Sequence, residues 1–198
     1  NPAPIVYGAS LGAIQLNATA DVAGVFNYNP ASGAVLNAGT NTLATDFTPD
    51  DTLNCSNSSA SVELYVQRAP PVITWTNPAP IVYGTPLSGI QLNASAVPSD
   101  GTYDYVPATG TVLNAGAGQA LVVTFTPTAI SNYTVGIATS FIDVAKAEQT
   151  INFPAVADQE STNHVGLAAS ASSGLPVSFT VGTGSASISG GTNLTFTG

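Results

Sequence analysis

Charge is scarce in this sequence. Only 7% of its 198 residues are charged, against about 25% in an ordinary soluble domain. The basic side chains are Arg68 and Lys146, set against eleven acidic ones, for a net charge of −9. Phosphate backbones and anionic bilayers are gripped by clustered Lys and Arg. The balance therefore predicts no nucleic-acid partner and no membrane-surface partner. No apolar run approaches the ~18 residues of a membrane-spanning helix, so no membrane insertion is expected of this piece. Methionine is absent even at position 1, which predicts a processed or excised piece; no secretory leader is visible in it. One cysteine, Cys55, excludes an internal disulfide and a cysteine-based metal site. It leaves open a small apolar filler, an intermolecular disulfide or an attachment point. One histidine, His164, excludes a histidine cluster.

What remains is enough to fold. Hydrophobic residues make up 44% of the chain. The 19 glycines and 14 prolines fall below the roughly 25–30% share that marks disordered segments. The surface must be built from Thr, Ser, Asn, Gly and Ala. Such a surface lacks the interspersed charge that keeps proteins apart in solution. It predicts either a hydrated coat or packing against neighbours.

The sequence also repeats itself. "NPAPIVYG" stands at Asn1–Gly8 and again at Asn77–Gly84. "NPAPIVYGASLGAIQLNATA" aligns with "NPAPIVYGTPLSGIQLNASA", then "GVFNYNPASGAVLNAG" with "GTYDYVPATGTVLNAG". "LATDFTP" follows with "LVVTFTP", "LNCS" with "SNYT", and "VQRA" with "VAKA". Within each copy, period-two alternation marks half-buried strands. Leu121, Val123 and Phe125 alternate with Val122, Thr124 and Thr126. Tyr133, Val135 and Ile137 alternate with Thr134, Gly136 and Ala138. Ile90, Leu92 and Ala94 do the same. The runs are separated by "NPAP", "VPATG", "NAGAG" and "FTPTAISN", all turn chemistry. No stretch has amphipathic-helix periodicity. Short strands with frequent turns predict an all-β fold of small sandwiches. The expected domains are 1–69, 70–147 and a partial third at 148–198. In the third, Ile151 falls on Ile73 and Phe153 on Trp75, and the text then diverges.

"ITWTNPAPIVYGTPLSGIQLNASA", "GTYDYVPATGTVLNAG", "LVVTFTPT" and "NYT" resemble the tandem bacterial immunoglobulin-like (Big/MBG-type) repeats of very large secreted and cell-surface proteins. "QTINFPAVADQ" and "ASSGLPVSFTV" are similar to a sister class that often follows them. The resemblance covers nearly the whole chain. It implies tandem Ig-like β-sandwich domains in an extracellular stalk, adhesin or fibre. Against that pattern both ends look truncated. The second copy has an opening strand at 72–76, "VITWT", and the first has none; the third unit stops short of its siblings' length. Two readings stay open: a slice of a longer chain, or a sandwich whose missing strand comes from a neighbouring subunit, since an open sheet edge invites a strand.

The chemistry-bearing residues are few. Nucleophilic or acid–base catalysis needs a nucleophile beside an oriented base. His164, in the turn-like "STNHVG", has neither that nor metal-ligating company, so no catalytic, cofactor or metal site is expected and the chain reads as non-enzymatic. Asp50 and Asp51 share a loop, and paired loop carboxylates can collect calcium, but the matching "TPTAISN" carries no acid, so a calcium site common to both repeats is not expected. Asp100, Asp104, Asp158 and Glu160 lie in turns and read as solvation. Lys146 and Arg68 fall at equivalent positions near domain ends, and the Lys–Asn or Lys–Asp cross-link of some surface Ig-like domains, which needs a buried Lys beside a carboxylic acid, does not suit them. N-x-S/T sequons occur at Asn17, Asn54, Asn57, Asn93, Asn132 and Asn193 and make these the glycosylation candidates. Trp75 reads as core or junction packing, with an exposed carbohydrate platform as its alternative. Tyr7 and Tyr83 follow "PIV" in both copies and predict packing near a junction. The expected function is a structural segment of an extracellular bacterial filament, stalk or surface assembly, self-associating and sugar-coated. The alternative is an adhesin or carbohydrate-binding array.

Overall fold

The computed structural model describes every residue except 161, 162, 197 and 198. Among the described residues there are strands and turns and no helix. The fold is all-β. The chain divides into two compact units, Asn1–Ala145 and Lys146–Gly198.

The first unit contains both sequence repeats, and the repetition carries through to the topology. Repeat 1 supplies β1 (Ile5–Val6), β2 (Gly24–Asn29), β3 (Gly39–Pro49) and β4 (Ser58–Gln67), which form one sheet in the order β1-β4-β3-β2. Repeat 2 adds β5 (Val72–Thr74), β6 (Ile81–Val82), β7 (Ser95–Val97), β8 (Gly101–Val106), β9 (Gly116–Pro127) and β10 (Gly136–Ala145). Its main sheet runs β6-β10-β9-β8, the same order, and β5 and β7 form a separate antiparallel pair. In each main sheet the short first strand runs parallel to its neighbour, Ile5 opposite Val66 and Ile81 opposite Val144, while the remaining pairs are antiparallel.

The two cores are copies as well. Leu11, Leu43, Leu64 and Val66 form one; Leu87, Leu92, Leu113, Leu121, Ile142 and Val144 form the other. The alternation in "LVVTFTP" is borne out. Leu121, Val123 and Phe125 are fully buried, so β9 presents one face inward from Leu121 to Pro127, as a period of two requires. Gly24 and Gly101 lie flat against the Phe47 and Phe125 rings. A Cβ built on either would stand 2.6 Å from a ring carbon, so the absence of a side chain is a packing requirement in both copies.

Two strand expectations are corrected. Ile90–Ala94 is a turn, in which the Gln91 and Leu92 amides donate to the Ser88 carbonyl at 3.1 and 2.9 Å; Ile90 points to solvent. At the start of β10 the alternation is real but its apolar members face outward; further along, Ile142 and Val144 turn inward to the core. Val135 and Ile137 are exposed, whereas Gly136, Ala138 and Ser140 face inward. The inner face is small at these positions because β5 lies close against it. A Cβ on Gly136 would meet Pro71 Cγ at 2.6 Å and Ile73 Cδ1 at 2.9 Å.

The second unit contains β11 (Ile151–Asn152), β12 (His164–Gly166), β13 (Ser170–Ala171), β14 (Ala186–Ser189) and β15 (Asn193–Phe196). β11 pairs with β13, and β12-β15-β14 form a three-stranded sheet. Phe153 and Phe179 touch with ring centroids 5.5 Å apart. No described residue of this unit is buried. Its apolar side chains, among them Phe153, Val156, Leu167 and Phe179, line an open cavity of about 310 Å³.

Candidate functional site

Two places in the first unit bring sequence-singled residues together. One is the contact between the repeats. The Ala69 amide donates to the Asn132 carbonyl at 2.9 Å, and the Thr134 amide donates to the Ala69 carbonyl at 3.0 Å. The Asn132 side chain reaches across. Its Oδ1 accepts from the Ala38 amide at 2.8 Å, and its Nδ2 donates to Asn37 Oδ1 at 3.1 Å. The Tyr7 and Tyr133 rings meet edge to face, 5.2 Å between centroids, a geometry aromatic pairs favour. Arg68 donates to the Ile130 carbonyl at 3.3 Å. A Pro-Pro pair at 70–71 follows at once and stiffens the link. The junction role expected of Tyr7 is thus borne out, and Arg68 joins it. Tyr83, its counterpart, is half exposed.

The corresponding loop of repeat 1 is built differently. Asn54 and Cys55 stand where repeat 2 has Asn132 and Tyr133. Asp51 occupies the place of Ala129. Its carboxylate accepts from the Leu53 and Asn54 amides at 3.2 Å each and from Asn54 Nδ2 at 2.7 Å. Those bonds favour the charged form and hold the Asp51 carboxyl below the usual aspartate range, the Asn54 side-chain bond most of all. Asp51 therefore organises its own turn, and it holds Asn54 in place locally. Among the described residues no group of three or more His, Cys, Asp or Glu side chains is placed to hold a metal ion.

The second place is the seat of β5 and Trp75. Trp75 meets Tyr105 edge to face at 5.4 Å, packs on the repeat 2 core and donates its indole N–H to the Gln91 carbonyl at 3.1 Å. This is the packing role expected for it. Tyr105 in turn accepts from the Ala94 amide at 3.0 Å, and burial is the main cause of its raised pKa. One turn of chain further on, Asn77 Oδ1 accepts from the Phe141 amide at 3.0 Å and from Ser140 Oγ at 3.1 Å.

Repeat 1 has the same seat without the strand. Tyr28 accepts from the Ala18 amide at 2.9 Å, as Tyr105 does from Ala94. Tyr28, Gln15, Leu16 and Leu43 are the counterparts of Tyr105, Gln91, Leu92 and Leu121. All four line a cavity of about 90 Å³, placed where repeat 2 holds its indole. Alongside runs a second cavity of about 390 Å³ that shares Ala18, Thr45 and Ala60 with the first and reaches Ala20, Phe47 and Ser58. The local structure differs accordingly. Ser95–Val97 is strand β7 with Ala96 buried, whereas the matching residues 19–21 are not strand and Ala20 is exposed. Ser140 is 1% exposed and its counterpart Val62 is 39% exposed. Sequence reading noticed the missing strand; it did not locate the pocket, which exists only once the sheet brings residues 15–18, 28, 43–45 and 60–62 together.

The remaining candidates are dispersed. Cys55 is partly buried and unpaired. His164 lies in β12 and not in a turn; it is exposed, with Nδ1 3.0 Å from Thr195 Oγ1. Of the sequons, Asn17, Asn54, Asn57, Asn93 and Asn193 are exposed, and the Asn132 carboxamide is occupied by the junction. The described residues bring no nucleophile, base and orienting group together.

No protein-family model matches the chain, and no curated protein sequence matches it either.

Proposed function

We propose that the chain is a non-enzymatic structural segment of an extracellular bacterial filament, stalk or surface assembly. It is built from tandem Ig-like sandwiches, each of the two repeats contributing one. The observation that carries this reading is the contact between the repeats. Main-chain bonds, a bridging asparagine and an aromatic pair tie the second repeat to the first, and two prolines stiffen the link between them. A linker that merely joined two independent binding modules would need none of these. Length then grows by adding repeats, and the low charge lets finished modules pack against one another or carry sugar.

Electron microscopy of the native material tests this. Regular fibres or a continuous array are expected. Monodisperse particles that retain a glycan on a glycan array would instead favour the adhesin or carbohydrate-binding reading. Sugar itself is tested by intact mass. We expect additions on exposed sequons such as Asn17, Asn57 and Asn93, and none on Asn132; a mass equal to the bare polypeptide removes the glycan from the account.

A further inference from the structure

The geometry points to the open groove of repeat 1 as a docking site for a β-strand delivered by a neighbouring repeat module, with a tryptophan of that strand filling the small cavity. The inference rests on the tandem-array reading and adds the address and the chemistry of the contact. The template is in the same molecule. Between repeats 1 and 2, the linker after β4 delivers Val72–Thr74 to repeat 2, where it pairs with Ser95–Val97 and sets Trp75 against Tyr105 and the Gln91 carbonyl. Repeat 1 presents the same receiving parts: Tyr28, the Gln15 carbonyl, Leu16, Leu43, and an unpaired segment at 19–21 in the place of β7.

The groove also says what the strand must look like. It carries an Ile-x-Trp pattern, so that one side chain lies over Phe47 and the next inward one enters the cavity beside Tyr28. It differs from the 71–74 stretch where Ser58 replaces Gly136. A Cβ on Gly136 would meet Pro71 Cγ and Ile73 Cδ1, so the incoming strand has a residue smaller than proline at the first position and turns its isoleucine away from Ser58 at the third. Val62, exposed in place of the buried Ser140, adds an apolar wall. A second copy of the chain is a poor donor. Giving up its own β5 would open the same groove in its own repeat 2, and nothing would be gained. The occupant is therefore a linker strand not already seated in a sheet.

The test uses the whole chain and a labelled synthetic peptide spanning residues 69–76 with Pro71→Ala. Anisotropy measures binding, and hydrogen exchange locates it. Saturable binding is expected, with new amide protection at residues 18–22 and unchanged protection in repeat 2. A peptide that also carries Trp75→Ala should bind at least about tenfold more weakly, a difference of about 1.4 kcal/mol. Val62→Lys in the chain should abolish binding while the circular dichroism spectrum is kept, and Val62→Ser should retain it. Absence of saturable binding, or binding indifferent to the tryptophan, overturns the docking site. The Asn132 contacts report separately on the array. If their amides stay protected while the peptide fails to bind, the docking site falls and the stacked repeats stand; if they are unprotected, the array reading falls too.

Discussion

At the scale of single residues, small side chains and one indole set the architecture. Gly24 and Gly101 allow β2 and β8 to lie on phenylalanine rings. Gly101→Ala should cost about 1–3 kcal/mol, the usual cost of overpacking a closed site, read as a lower urea midpoint with unchanged slope. Trp75→Ala should cost about 3 kcal/mol or more, since it empties part of a core and leaves the Gln91 carbonyl without its donor. Tyr105 gives a pH signature. Its phenol is raised because burial disfavours the phenolate. The proton is thus held more tightly folded than unfolded. The resulting stability is complete below the ordinary tyrosine value of about 10 and is lost as pH climbs through the folded value. Thermal unfolding from pH 9 to 12 should show Tyr105→Phe to be less alkali-sensitive than the unsubstituted chain, although it is weaker at neutral pH because the Ala94 amide loses its acceptor. Equal alkaline slopes would remove Tyr105 from the account.

At the scale of elements, the sequence was legible where one face of a strand is uniformly buried. The run from Leu121 to Phe125 alternates because β9 has sheet neighbours on both sides and core beneath it. Reading failed where a closely packed strand demands smallness. In the first half of β10 the inward positions are Gly136, Ala138 and Ser140, so the hydrophobic pattern of Val135 and Ile137 advertises the solvent face there. It failed again at Ile90–Ala94, where the Ser88 carbonyl captures two successive amides and turns the chain. The groove was legible as a missing strand. Its tryptophan-sized pocket was not, because its walls come from four separate stretches of chain. Asn132 carried a sequon signal that concealed its structural task, which depends on partners far away in sequence. Asn132→Ala should leave both cores intact and raise exchange at the Ala38 amide, which donates to the Asn132 side chain, by about fivefold, since a cross-repeat hydrogen bond contributes on the order of 1 kcal/mol. Unchanged exchange there would mean the bridge is idle.

At the scale of the molecule, stability is unevenly placed. Two stacked cores lie between Asn1 and Ala145, and no described residue beyond Ala145 is buried. Burial of apolar area is the main stabilising term, and regions poor in it open first. Limited proteolysis should therefore cut within 146–198 and leave a resistant fragment ending near Ala145. Resistance across the whole chain would contradict this. The same distribution fits the structural segment proposed above, in which the junction holds the repeats to each other. The most direct test of that claim is the set of residual dipolar couplings of the weakly aligned chain. One alignment tensor that fits β2–β4 and β8–β10 together is the predicted result. Two different tensors, one for each repeat, would contradict it.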